Sequence, residues 1–342
     1  MKRIPVGIIG VSGYTGLELL KLLLQHPVFE VCYLANTQGE TRIDEIHKGL
    51  SQICDVSVQK ADAKKAAQMC DLVFLALPHQ QAMLTAKEIL AFGNTKVIDL
   101  SADYRLNAQN YEQYYCAHQD TENLKHAVYG LPEYNKDSIQ NASLLANPGC
   151  YPTATLLALL PFVDYIDEQC GVFVDAKSGV SGAGKSLTTN THYPHINENL
   201  FSYSPLKHRH QIEIEEKCLL FGKKLLQIDF VPHLTPLTRG MLVSVFAHLK
   251  SPMSPLKANQ ILQRFYASQP FIRIRENPVD ISSVAGSHFC DIFVSTRGKS
   301  LYVNSSIDNL MRGASSQALL NANLMCGLEE HLGIPRIPYG IF

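Results

Sequence analysis

The stretch VGIIGVSGYTG, residues 6–16, decides the fold. It closes a short β-rich run, Ile4 to Ile9, sets Gly10, Gly13 and Gly16 three residues apart, and opens a segment, Leu17 to Leu24, whose apolar residues recur at helical spacing. Glycines between a first strand and a first helix let the backbone turn tightly and approach a pyrophosphate. The amides and dipole of the helix N-terminus favour its charge. The spacing, G-x-x-G-x-x-G, is shifted from the commoner G-x-G-x-x-G, and its place between strand and helix gives it weight.

Outward from this turn the chain alternates strand and helix. Val31 to Ala35 reads as a strand, Ala61 to Met69 as a helix, Leu72 to Leu77 as a buried strand, Gln81 to Phe92 as a helix and Lys96 to Leu100 as a strand. Such alternation predicts parallel strands with crossover helices, a Rossmann-type, doubly wound α/β sheet. Residues 101–145 are polar and predict irregular connections with short helices. Ser143 to Ala146 is then a strand and Thr153 to Phe162 a helix.

The second half changes character. Gly171 to Lys177, Ile228 to His233, Met241 to Leu249 and Phe271 to Arg275 read as strands. Phe289 to Ser295 and Leu301 to Ile307, joined through Thr296-Arg297-Gly298-Lys299, read as an antiparallel hairpin. Helices fit Gln211 to Leu226 and Leu256 to Ser268, so a mixed-sheet α+β domain is expected. Leu310 to Leu332 returns to a long helical pattern and is expected to pack on the first domain. The domains are therefore 1–147 with 311–342, and 148–310.

At 342 residues the chain exceeds what one core usually organises. Lys and Arg total 30 against 31 Asp and Glu, which argues against nucleic acid or an anionic membrane as partner and for a small molecule. No apolar run is long enough to span a bilayer, and the N-terminus, broken by Pro5, Gly7, Gly10 and Gly13, makes a poor signal peptide, so a cytoplasmic protein is expected. Nine cysteines without a C-x-x-C pair predict free thiols and no metal site.

Where an NAD-specific site places an acid at the end of the second strand, this chain has Ala35-Asn36-Thr37-Gln38. No carboxylate stands there to repel a 2′-phosphate, which favours NADP, with Thr37, Gln38 and Arg42 within reach. Gly179 to Ser186, GVSGAGKS, matches the P-loop pattern G-x-x-x-x-G-K-[ST], but the β-branched, Pro-containing LTTNTHYPHINENL that follows is a poor helix. A glycine-rich loop near an active site is the better reading.

In ANPGCYPTATLLALL, residues 146–160, Pro148 and Gly149 end a strand, and Cys150 falls at the start of a helix. Unpaired amides and the positive dipole end favour a thiolate there, and the same amides form an oxyanion hole. In Lys207-His208-Arg209-His210-Gln211-Ile212-Glu213, the three-residue spacing puts His210 and Glu213 on one helix face, where a carboxylate can orient an imidazole. His208 is the alternative acid/base. A nucleophilic cysteine, a histidine and a dinucleotide site together suggest attack on an activated acyl group, then hydride reduction of the thioester to an aldehyde. Arg105 and Arg239 are candidates to hold an anionic substrate.

GVSGYTGLELL, FLALPHQQA, DLSADYRL, YGLPEYN, NPGCYPT, SGVSGAGKS, HRHQIEIE, FVPHLTPLTRGM and IDNLMRGASSQALLNANLM, in that order, resemble the N-acetyl-γ-glutamyl-phosphate reductase family of arginine biosynthesis, within the group that includes aspartate-semialdehyde dehydrogenase. The resemblance runs nearly end to end. It implies NADPH-dependent reduction of N-acetyl-γ-glutamyl phosphate to the semialdehyde in a homodimer or homotetramer. An aminoadipyl or aspartyl phosphate is the alternative substrate. Carried over residue by residue, Cys150 is the nucleophile, His208, His210 and Glu213 the acid/base and orienting cluster, and Gly10, Ser12, Gly13, Tyr14, Thr15 and Gly16 the cofactor loop. Thr37, Ser181, Gly182, Asn309 and Gly313 are assigned to the cofactor, and Arg105, Asn147, Arg209 and Arg239 to the substrate. Two departures are Ser316-Gln317 where relatives usually show Gly-Gln, and the missing basic residue around Asn36 to Gln38.

Overall fold

A computed structural model describes residues 3–340. They divide into two compact units, the chain up to Pro148 with Ala314–Ile334, and Gly149–Gly313 with the chain from Pro335 onward.

The first unit is built on strands β1 (Ile4–Ile9), β2 (Phe29–Asn36), β3 (Thr41–Arg42), β4 (Ser57–Lys60), β5 (Leu72–Leu75), β6 (Lys96–Asp99), β7 (Val128–Tyr129) and β8 (Leu144–Ala146). Their order is β3-β4-β2-β1-β5-β6-β8-β7, and all pairs are parallel except β3 with β4. Parallel strands covered on both faces read as continuous apolar runs, which is why Leu72-Val73-Phe74-Leu75 is buried throughout. The chain leaves β1 toward β2 and β4, then crosses to β5, β6 and β8. The switch point lies between β1 and β5, where an open α/β sheet takes its ligand beyond the strands' carboxyl ends. The short strands β3, β4 and β7 carry no legible pattern in the sequence.

The C-terminal helix is shorter than its periodicity predicts. A π-helical turn, Met311–Ser315, leads into the α-helix Ser316–Met325, which stops where Gly327 takes φ +69°. Asn323 Nδ2 then donates to the carbonyls of Glu330 and Leu332, folding the tail back. Within the first unit this helix is tied down by Gln317 and Asn321, which donate to Gly130 O, and by Ser315, which donates to Thr15 O. The chain from Pro335 groups with the second unit rather than the first, as do Met311 to Gly313. Pro335 O accepts the His288 amide and Tyr339 N donates to Ala285 O, so the tail is held by backbone bonds the sequence does not announce.

The second unit carries β9 (Val172–Gly179), β10 (Phe201–Ser202), β11 (Ile228–Thr235), β12 (Met241–His248), β13 (Ile272–Ile274), β14 (Cys290–Arg297) and β15 (Ser300–Ile307), in the order β10-β11-β9-β12-β15-β14-β13. β14 and β15 form the expected hairpin, closed over Gly298-Lys299, with Gly298 at φ +61°. Helices Cys150–Leu159, His210–Gly222 and Pro255–Phe265 pack on the sheet. Cys150–Leu159 is buried on every side after Cys150, and its sequence is accordingly mostly apolar all round. Helix His210–Gly222 ends earlier than its pattern suggests, at Lys223 in the left-handed region. No helix among the described residues is long and apolar enough to cross a membrane.

Candidate active site

In the first unit the glycine turn sits at the switch point. Gly10 has φ +98°, and a Cβ there would collide with the carbonyl of Ala76, the residue just past β5. Only glycine lets β1 and β5 close at this point. At Gly16 a Cβ would come within 2.8 Å of Val11 Cα, so this glycine seats the helix on the turn. At Gly13 it would meet no protein atom nearer than 3.8 Å. That glycine leaves room in front of helix Tyr14–Leu24, whose N-cap makes no side-chain hydrogen bond, as a pyrophosphate requires. Ser12, Tyr14 and Thr15 share this turn, with Tyr14 exposed. His47, which sequence reasoning missed, braces the loop through Nε2 to Val11 O at 2.9 Å.

At the end of β2, Asn36 Oδ1 accepts the amides of Gln38 and Gly39 at 2.9 and 2.6 Å and shapes the turn, leaving Thr37 exposed. Arg42 pairs with Asp44 at 3.0 Å. Arg105 is buried, its Nε donating to Asn147 O and its Nη2 to Leu100 O, both at 2.8 Å. Asn147 is buried too, donating to Ala314 O and accepting from Asn321. The structure makes Arg105 a clamp on the strand end that leads to Cys150.

In the second unit, Cys150 is the first residue of its helix and half-buried. Glu213, in the first turn of helix His210–Gly222, accepts the Gly149 amide through Oε1 at 2.9 Å and is 1% exposed. One oxygen of the carboxylate expected to orient His210 thus anchors the loop that leads into Cys150, joining residues 64 positions apart. Glu213→Ala should lower kcat about 10- to 100-fold, the value of a charge-assisted hydrogen bond, whereas Glu213→Gln, which keeps the acceptor, should recover most of it. Steady-state kinetics of the two variants would show equal losses if the charge itself moved the proton.

Tyr151, buried and next to Cys150 in the chain, donates to His233 O at 3.1 Å and meets the rings of His208 and His210 at 5.7 and 5.8 Å. Both histidines thus lie in the surroundings of the Cys150 helix start. They differ in environment. His208 Nδ1 accepts the His210 amide at 3.1 Å, and burial, aided by Arg209, pushes its pKa down to about 4. It is a neutral residue capping the helix start.

Because His208 titrates lower folded than unfolded, the unfolded chain binds the extra proton first. Stability should be fully present above pH 6.5 and fall as the pH drops from there toward about 4. His208→Asn keeps an acceptor without that titration. It should lose about 1–2 kcal/mol less between pH 7 and 5, read from urea midpoints, with Tyr151, Tyr203, Arg209 and His210 around the site unchanged.

Several of the remaining expected residues meet around Asn309 and Asp308 in the second unit. Asn309 Oδ1 accepts the Gly240 amide at 2.7 Å, and its Nδ2 donates to Ser181 Oγ at 3.0 Å, with Gly182 beside them. No helix follows Lys185 directly; the chain passes through a 3-10 turn, Thr189–Thr191, and one short α-helical turn, Tyr193–Ile196, as the poor helix signal predicts. Buried Asp308 accepts the amides of Leu310, Met311 and Gly286 and stands 3.6 Å from Arg239. Its carbonyl takes the Gly313 amide at 2.9 Å, and a Cβ on Gly313 would lie 2.6 Å from Cys150 Cβ. Arg209, at the N-cap of helix His210–Gly222, is exposed.

A semialdehyde dehydrogenase NAD-binding domain model matches residues 5–142, and the semialdehyde dehydrogenase dimerisation domain model matches 150–309. An N-acetyl-gamma-glutamyl-phosphate reductase of Wolinella succinogenes is 63% identical over 99% of both chains. Relatives of the same name from a Sulfurovum species and from Methanocella arvoryzae are 55% and 40% identical, covering 98% and 97% of this chain and 99% and 98% of theirs.

The chain belongs to the N-acetyl-gamma-glutamyl-phosphate reductase family.

Its fold is that of the semialdehyde dehydrogenases. Aspartate semialdehyde dehydrogenase II of Vibrio cholerae, complexed with ASA, superposes with a TM-score of 0.70 at 15% identity over 96% of this chain and 99% of that one. The enzyme of Candida albicans with NADP gives 0.72 at 14%, over 95% and 99%. Membership makes the chain an oxidoreductase with a nicotinamide-dinucleotide-binding first domain. The turn at Gly10, Gly13 and Gly16 fits that group, since the room at Gly13 lies at the uncapped helix start where a phosphate binds.

Proposed function

We propose that this chain reduces N-acetyl-γ-glutamyl phosphate to N-acetylglutamate 5-semialdehyde with release of phosphate, using NADPH, through a thioester on Cys150. Cys150 Sγ attacks the acyl carbon and phosphate leaves. The helix-start amides stabilise the oxyanion. The nicotinamide nucleotide, when bound, supplies the hydride. His210 handles the proton, since His208 is committed to capping the helix. Arg209 holds an anionic group of the substrate. The observation that carries this reading is the Glu213 bond to the Gly149 amide, which ties the histidine-bearing helix to the nucleophile's own loop.

NADP is preferred because β2 ends in Asn36, a neutral residue occupied in shaping its turn, where an acid would repel a 2′-phosphate. The test incubates the protein with the semialdehyde, phosphate and either NADP or NAD and follows reduced-nicotinamide absorbance. A phosphate-dependent signal, stronger with NADP, is expected; none with either nucleotide would overturn the activity.

The functional form is a homodimer. Phe173, Phe246, Tyr302 and Phe293 form a row across β9, β12, β15 and β14, with ring centroids 5.0–6.5 Å apart, and Phe173 and Phe246 are 42% and 45% exposed. Their strand neighbours on the other face, such as Val174, Val245 and Val303, are buried, so this row faces away from the helices. An exposed aromatic row of this kind is an interface signature. Phe246→Asp should convert the assembly to monomer by light scattering, with the far-UV spectrum unchanged.

A further inference from the structure

Gly7, in the middle of β1, is the only glycine in a strand otherwise filled with Ile, Pro and Val. A Cβ there would lie 2.9 Å from Cys70 Sγ. The neighbouring strand is irregular at the same level. Val6 pairs with Val31 but Gly7 pairs with Tyr33, which leaves Cys32 as the extra residue of a β-bulge. Bulges re-aim a side chain. Here Cys32 Sγ comes within 3.4 Å of Cys70 Sγ and donates to Met69 O at 3.2 Å, at the end of helix Ala63–Met69. A bulge, a missing side chain and a helix end thus converge on two thiols 38 residues apart in the chain. None of the three serves the glycine turn, which begins three residues further along β1, about 10 Å away.

We propose that Cys32 and Cys70 form a redox-active dithiol that closes to a disulfide on exposure to a peroxide. Cys32 is half-buried and open to a small oxidant, whereas Cys70 is buried. The hydrogen bond from Cys70 lowers the Cys32 pKa, while the same bond, followed by burial, raises that of Cys70. Cys32 is accordingly the attacking thiolate and Cys70 the resolving thiol. The Cys32 sulfur attacks the peroxide O–O bond, forming an S–O bond and releasing hydroxide. Cys70 then gives up its proton and attacks the Cys32 sulfur, and the S–O bond breaks with loss of a second hydroxide. In sum, two thiols and one hydrogen peroxide yield one disulfide and two waters.

The test uses the full chain carrying Cys150→Ser, so that the active-site sulfur neither consumes peroxide nor forms cross-links. Treatment with stoichiometric hydrogen peroxide should lower the denatured thiol count by two. It should also link tryptic peptides 22–42 and 66–87, reversibly with a dithiol reductant. Adding Cys32→Ser should abolish the link, and adding Cys70→Ser should leave Cys32 trapped as a sulfenic acid labelled by dimedone. An unchanged thiol count without linked peptides would overturn the proposal, as would a link from residues 66–87 to another peptide. Because the first measurement needs neither added substitution, it stands even if one of them prevents folding.

Discussion

Cys150→Ser should lower kcat/KM by at least about 10⁴-fold. The change replaces a thiol by a hydroxyl and little else. The two side chains are similar in size, and Cys150 opens its helix at a half-buried position, so the helix, the Gly149 to Glu213 bond and the Tyr151 contacts are expected to persist. What is lost is chemical. A serine hydroxyl is not ionised near neutral pH, and an oxygen ester accepts hydride less readily than a thioester. Dinucleotide binding, proposed at the turn of Gly10, Gly13 and Gly16, should be unaffected. The check is steady-state kinetics beside a fluorescence titration with NADPH. A variant that keeps a tenth of its turnover would remove the thioester from the mechanism.

Gly313→Ala should lower kcat about 100- to 1,000-fold, although Gly313 carries no side chain and takes no part in the chemistry. The new methyl would stand 2.6 Å from Cys150 Cβ and 3.2 Å from its Cα, well inside contact distance. Gly313 has nowhere to retreat. Its amide is bonded to Asp308 O, and Asp308 is itself fixed by three amides at its carboxylate. Arg312, fully buried next in the chain, is bound to His288. The strain therefore passes to Cys150, and a displacement near 1 Å at a reacting atom costs about 100-fold. Stability should also fall by about 1–3 kcal/mol from overpacking. Kinetics and thermal melts separate the two effects. A variant with wild-type kcat would show that the turn at Asp308 yields and that Cys150 is not held from this side.

Much of the first unit was legible because its signals are local. Ile4 to Ile9 is a parallel strand whose apolar run reflects burial on both faces, and the glycine at 16 is demanded by contacts within the same strand–turn–helix, whereas the one at 10 answers to Ala76 beyond β5. The start of the Cys150 helix was legible for the same reason, since Pro148 and Gly149 are local punctuation. Helix ends were less so. Lys223 and Gly327 stop their helices through left-handed backbone, and an apolar pattern that continues past them gives no sign of it.

The roles of the charged residues were the least legible. Spacing put Glu213 on one face with His210 but gave no sign that one oxygen of its carboxylate would take the Gly149 amide. Arg105 read as a substrate cation, and the fold buries it against Asn147 and Leu100 carbonyls.

The sequence by itself determined the two kinds of sheet, the glycine turn and a cysteine at a helix start, because periodicity and turn chemistry are properties of neighbouring residues. Only the tertiary structure decided what holds that cysteine, and that Cys32 and Cys70 share one gap beside Gly7. These contacts join residues tens to well over a hundred positions apart. A hydrogen bond or a missing methyl at such a distance leaves no periodic trace along the chain.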